Sequence, residues 1–318
     1  MSEAIEQFDC FGGSCAVLVA GAGPAGTAQD AAARVKRRLL AWHDQFSRFS
    51  PTSELSRLNG DPRRIVPVSP TMARFVATAV GAAGATGGLV DPTLVDQLES
   101  AGYSRDLSWD SLPLSRALLL APGRAAAQPR AVAGSAEIEV DRAARTVTRP
   151  PGVRIDSGGI FKGLCGDMLA GILARHVSFA VDAAGDVRFG GAAAWRRPVR
   201  VTSPFDGSLV HVFELVRGAA ATSGIGRRSW LGADGRPAHH LLDPATGRPA
   251  FTGVVQVTAL APTGVEAEMR SKAALLSGPS EAMDWLVDGG LVVLDDGTLQ
   301  VVEPSAALVG GSVVEMAA

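Results

Sequence analysis

The residues best placed to do chemistry sit in Ile155-Asp156-Ser157-Gly158-Gly159-Ile160-Phe161-Lys162-Gly163, which runs straight into Leu164-Cys165-Gly166-Asp167. Of 30 basic residues only three are lysines (Lys36, Lys162 and Lys272), so generic positive charge is written here as arginine. A lysine between glycines and near two aspartates offers a compact ammonium to a tight anionic site. Gly158, Gly159 and Gly163 let the backbone approach a ligand and turn N–H groups toward it, as a phosphate-binding loop requires. The plainer alternative is a strand-to-helix turn carrying a surface lysine.

A second group is His239-His240-Leu241-Leu242 followed by the β-turn signal Asp243-Pro244-Ala245-Thr246-Gly247. His240 ends a predicted strand, where an imidazole can act as general base for a hydroxyl nucleophile. The pair can hardly ligate one metal ion, because adjacent side chains on a strand point to opposite faces. Ala221-Thr222-Ser223-Gly224 reads as a small-residue turn able to lean over a phosphate. Asp91, in Gly87-Gly88-Leu89-Val90-Asp91-Pro92-Thr93, either caps the next helix or accepts hydrogen bonds from a ligand. Glu268 and Lys272 stand at i and i+4 on a helix, as a surface ion pair or as a counter-charge for an anion. Gly21-Ala22-Gly23-Pro24-Ala25-Gly26 follows a strand and precedes a helix, as in a dinucleotide fingerprint. The acidic strand end expected about 20 residues on is missing.

These residues need elements to position them. The pattern predicts a strand at 14–20, a helix over 28–46, and a polar loop with one helical turn over Phe46–Asn59. Another helix covers Pro70–Ala85, capped by Ser69. Short hairpin strands fall at Glu137–Val140 and Thr146–Val147, and a possible subdomain boundary lies near 150. A helix over 164–175 precedes strands at Ser178–Val181, Val199–Thr202, His211–Leu215 and Val254–Leu260. Helices at 265–277 and 280–287 complete the reading. Strands and helices joined by short turns give an α+β or mixed α/β class.

Composition excludes several roles. Apolar content of 47% and charged content of 19% describe a soluble globular chain, and a net charge of −2 gives no basic surface for nucleic acid. Apolar runs such as Cys15–Ala20 fall short of the roughly 20 residues of a membrane span. The acidic N-terminus, Met1-Ser2-Glu3-Ala4-Ile5-Glu6, lacks a basic stretch followed by an apolar core, so a secretory signal is not expected. Three cysteines, Cys10, Cys15 and Cys165, are an odd number without metal spacing, so a reduced, cytoplasmic protein is expected.

Taken together, the segments resemble the flavin transferases, the FAD:protein FMN transferases of the ApbE family. The likeness runs from Phe11 to Gly278. It is carried by Phe49–Asn59 (with Ser53-Glu54-Leu55 and Arg57-Leu58-Asn59), Val90-Asp91-Pro92-Thr93, Ile155–Gly163 with Asp167, Gly185-Asp186, Ala221–Gly224 and His240–Gly247. It implies an α+β fold of mainly antiparallel sheets with packed helices, in one domain over 1–318. It also implies an enzyme that binds FAD, splits its pyrophosphate, and joins FMN to a threonine hydroxyl of a protein acceptor, releasing AMP. By position, Leu89, Val90, Asp91, Asp156, Lys162, His240, Leu241 and Lys272 would contact FAD, and His240 would deprotonate the threonine. The family's Mg²⁺ ligands are an Asp and a Thr in Ala-Asp-x-x-x-Thr and a backbone carbonyl at the place of Gly159. Here the side-chain positions hold Glu268 and Lys272, and a protonated lysine cannot ligate a cation. The ammonium of Lys272 is therefore expected where the metal would sit. Two alternatives follow: a FAD- or FMN-binding protein without transfer, and a dinucleotide-dependent oxidoreductase using Gly21–Gly26.

Overall fold

The computed structural model describes residues 3–24, 26–105 and 112–310. Met1 and Ser2 of the acidic N-terminus and Ala25 of the glycine-rich turn lie outside the described residues. Eight strands form one sheet whose spatial order follows the chain. They are β1 (Glu3–Cys10), β2 (Gly13–Ala20), β3 (Ser178–Ala183), β4 (Asp186–Gly190), β5 (Gly218–Gly224), β6 (Val254–Ala261), β7 (Gly290–Leu294) and β8 (Leu299–Val302). Every neighbouring pair is antiparallel. Around it lie α1 (Ala28–Phe46), α2 (Glu54–Gly60), α3 (Pro70–Ala85), α4 (Val95–Ser100), α5 (Leu114–Leu120), α6 (Phe161–Leu173) and α7 (Gly264–Ser277). The fold is thus α+β with antiparallel sheets and packed helices. Among the described residues no helix is long and apolar enough to cross a membrane.

Both faces of the sheet are covered, which the period of two in its strands makes possible. Val17, Val19, Phe179 and Val181 face a core shared with α1, α3 and α6. The alternate positions Leu18, Ala180 and Phe189 join a second core with β5, β6 and β7. Antiparallel pairing overturns the oxidoreductase reading of Gly21–Gly26, because a dinucleotide fold needs parallel β-α-β units. Gly23 and Gly26 exchange both backbone hydrogen bonds, at 3.0 and 2.9 Å, closing the turn on itself. A β-carbon on Gly23 would meet the His176 ring at 2.9 Å, so that side of the turn is packed on protein.

Several local expectations change. Ala221–Gly224 is a stretch of strand β5 and not a turn. Its small residues let α7 lie close to the sheet, where Ala219, Ala221, Ala261 and Ala267 form one buried cluster. Residues 280–287 make only a single 3₁₀ turn, Ala282–Trp285, before Gly289 and Gly290 (φ 107° and 152°) turn the chain into β7. The polar stretch before Asn59 contains a two-turn helix, α2, whose N-cap Ser53 accepts from the Ser56 N–H at 2.9 Å. Strand β1 was not anticipated. It joins β2 through Phe11-Gly12, both with left-handed φ (55° and 72°), as a two-residue hairpin requires.

Candidate active site

Two loops are pinned to each other before they reach the site. The buried Thr86 hydroxyl at the end of α3 donates to the Ala82 carbonyl and accepts from the Val90 N–H at 3.0 Å, aiming Val90-Asp91 inward. Asp91 does not cap α4: its Oδ1 accepts from the Thr93 N–H at 2.8 Å and from the Thr93 hydroxyl at 2.6 Å. Its Oδ2 is buried without a hydrogen-bond partner among the described residues, with Arg130 Nε 3.9 Å away. The Asp156 N–H donates to the Pro92 carbonyl at 2.8 Å, joining this turn to the next loop. The Asp156 carboxylate accepts from Gly158 N–H at 2.9 Å and pairs with Arg48 Nε at 3.2 Å.

Beneath these loops, α6 and α7 cross backbone to backbone. A β-carbon on Gly264 would lie 2.5 Å from the Gly163 carbonyl oxygen, so only glycine fits. Asp167 on α6 caps α7, accepting from Gly264 N–H at 2.8 Å and Val265 N–H at 3.0 Å, a favourable place for a carboxylate. The Ser223 and Ser271 hydroxyls, 2.8 Å apart, tie β5 to α7. The crossing sets two ion pairs. Lys162, in the first turn of α6, meets Asp186 at 2.7 Å. Lys272 meets Glu268 Oε1 at 3.1 Å, while Glu268 Oε2 accepts from Gly163 N–H at 2.8 Å.

The expectation of a surface pair fails here, since Glu268 is 0% and Lys272 9% exposed. Burial pushes the Glu268 carboxyl up from the usual range, and Lys272 pulls it partly back. Burial would lower the Lys162 ammonium, yet Asp186 and Glu268 together hold its pKa above the ordinary value. The glycine amides of the opening motif are not all turned to a ligand, because Gly158 and Gly163 give theirs to Asp156 and Glu268.

One cleft of about 180 Å³ gathers most of the expected residues: Leu89, Val90, Asp91, Asp156, Gly159, His240, Leu241 and Lys272 line it. Lys162 and Glu268 do not line it; each is held in an ion pair, Lys162 by Asp186 and Glu268 by Lys272. His240 follows the short strand Pro237–His239, and its Nδ1 is buried without a partner among the described residues. Burial, reinforced by Arg228, His239 and the two site lysines, holds its pKa well below the ordinary value, so the imidazole is neutral. His239 points away into the core, edge-on to Phe251, and burial lowers its pKa to about 3.

Mg²⁺ does not fit the donors as arranged. Both Glu268 oxygens are engaged, one by an ammonium at 3.1 Å and one by an amide. Among the described residues no three His, Cys, Asp or Glu side chains form a group able to hold a metal ion. A hard dication wants several free oxygens, and Lys272 brings a positive charge instead.

Sequence reasoning missed part of the cleft wall. Arg48, packed against both the Phe49 and Tyr103 rings at 4.3 and 4.4 Å, holds Asp156. Phe11, at the hairpin turn, packs edge-on against His43 and Phe161, and its carbonyl accepts from Arg228 at 2.9 Å. A bulky residue with left-handed φ is rare, and nothing in the residue type at Phe11 announces that backbone conformation.

Comparison with known proteins agrees with this architecture. A curated FAD:protein FMN transferase of Klebsiella pneumoniae is 24% identical over 270 residues, covering 82% of this chain and 75% of that protein. One from Vibrio cholerae is 26% identical over 260 residues, covering 78% and 74%. The crystal structure of an ApbE protein from Thermotoga maritima superposes with a TM-score of 0.78 at 25% identity, over 95% of this chain and 97% of the other. The flavin transferase ApbE of Vibrio cholerae gives 0.72 at 22% identity, over 96% and 98%. The sequence pattern of the ApbE family matches residues 11–294, and the chain belongs to that family.

Proposed function

We propose that the chain is a single-unit flavin transferase that binds FAD in this cleft and passes FMN to a threonine hydroxyl of a protein acceptor, releasing AMP. The observation that carries it is one cleft that brings His240, its Nδ1 buried without a partner among the described residues, together with Lys272, Asp91 and Asp156. In the proposed step the threonine oxygen attacks the FMN phosphorus as His240 takes its proton. The new P–O bond forms while the anhydride bond breaks, and AMP leaves with the electron pair. Lys272 offsets the charge that builds on the phosphoryl oxygens. No step is assigned to Mg²⁺. A cytoplasmic setting belongs to the same proposal and rests on three cysteines that are free thiols.

The test is incubation with FAD and a threonine-bearing acceptor, reading AMP by chromatography and flavin fluorescence on the acceptor, with and without a chelator. Both products are expected at the same rate in either condition. An absence of both FAD binding and FAD cleavage would sink the proposal. Binding without AMP would favour the second reading, a flavin-binding protein, which the Lys272–Glu268 pair in place of a metal site supports.

His240→Asn is expected to slow transfer about 10²–10⁴-fold, far more than it weakens FAD binding. Because the pKa of His240 is depressed, its base form persists as pH falls. The acid limb of the wild-type rate should therefore lie well below pH 6.5. A half-maximal rate at pH 6.5 would remove His240 as the base.

A further inference from the structure

We propose that Asn59, which does not line the cleft, is a positioning residue that sets the Asp156 carboxylate. Its side-chain amide pairs with a single backbone residue in both directions. Nδ2 donates to the Ile155 carbonyl and Oδ1 accepts from the Ile155 N–H, each at 2.8 Å. An amide used this way imitates a neighbouring strand and fixes the peptide units on both sides of Ile155. Ile155 is fully buried, so no water can replace that partner. The peptide so fixed leads directly into Asp156, whose own N–H is held by Pro92 and whose Oδ2 holds Gly158.

Asn59 is itself anchored. It lies in the last turn of α2, and the buried guanidinium of Arg149 (0% exposed) donates to the carbonyls of Leu58 and Asp61 on either side. At the other end, Glu54 accepts from the N–H and hydroxyl of Ser69, at 2.6 and 2.8 Å, clamping α2 to the start of α3. Rigidity therefore passes from Arg149 through α2 to Asn59, and from Asn59 to Asp156. A supporting shell of this kind keeps a binding group within a fraction of an ångström of its productive place.

The inference rests on the FAD reading only for its ligand, so its test has a ligand-free arm. Asn59→Asp is nearly isosteric but turns a carboxylate toward the Ile155 carbonyl. In a cycle of wild type, N59D, D156N and the double variant, each single change should weaken FAD binding about tenfold. The double variant should be no weaker than D156N, because Asn59 acts through Asp156. Losses that multiply would overturn the proposal. If N59D does not fold, Asn59→Ser, which removes the amide without adding charge, takes its place. In the ligand-free arm, hydrogen exchange at the Ile155 and Gly158 amides should quicken in the variant while α2 stays protected. Unchanged protection at Gly158 would overturn it even if the wild type bound no FAD, an outcome that would separately sink the FAD reading.

Discussion

Gly163→Ala is expected to cost about 3 kcal/mol of stability or more. The reason is the crossing of α6 and α7. A β-carbon at Gly163 would fall inside the contact distance of the Gly264 carbonyl, and the atoms it would meet are all backbone, which cannot rotate away. Relief requires the helices to part, and parting them breaks the Gly163 N–H to Glu268 bond and the Asp167 cap on α7. Gly264→Ala should do the same from the opposite side, where the clash is with the Gly163 carbonyl at 2.5 Å. The double change should cost less than the sum, because either methyl alone already separates the helices. Urea midpoints and near-ultraviolet circular dichroism check this. A Gly163→Ala protein with the wild-type midpoint would mean that the two helices do not touch there.

What was legible in the sequence follows from how local each signal is. α3 begins at Pro70 after Ser69, as expected, because cap and proline are written in adjacent residues. α1 spans 28–46 as its apolar stripe predicts, with Ala32, Val35 and Leu39 fully buried. β1 was invisible because Glu3, Glu6 and Gln7 break its apolar pattern, which an edge strand tolerates. β5 was hidden by its alanines, which are chosen for closeness to α7 rather than for strand propensity. The cleft was legible as residue types but not as layers. Nothing local says that Lys162 turns to Asp186, or that Asn59 reaches Ile155, 96 positions away. Such pairs are created by the fold, so a sequence shows the partners without showing the pairing.

The Glu268–Lys272 pair at the cleft wall yields the second large effect. Glu268→Ala should cost about 3–5 kcal/mol, since it leaves a buried ammonium and the Gly163 N–H without their acceptor. Replacing both partners, Glu268→Leu with Lys272→Met, should recover most of that loss, because no unpaired charge then remains. Stability and function part company at this point. If Lys272 offsets the phosphoryl charge, the paired apolar variant should fold well yet lose FAD affinity. If the pair is only a helix staple, affinity should survive with stability. A third variant, Glu268→Asp with Lys272→Thr, exchanges the ammonium for a hydroxyl and releases a carboxylate, giving oxygen donors that suit a hard cation. Its FAD affinity should rise on titration with Mg²⁺, while the wild type should not respond, because its positive charge is already covalently in place. Mg²⁺ that tightened FAD binding to the wild type would contradict the assignment of that charge to Lys272.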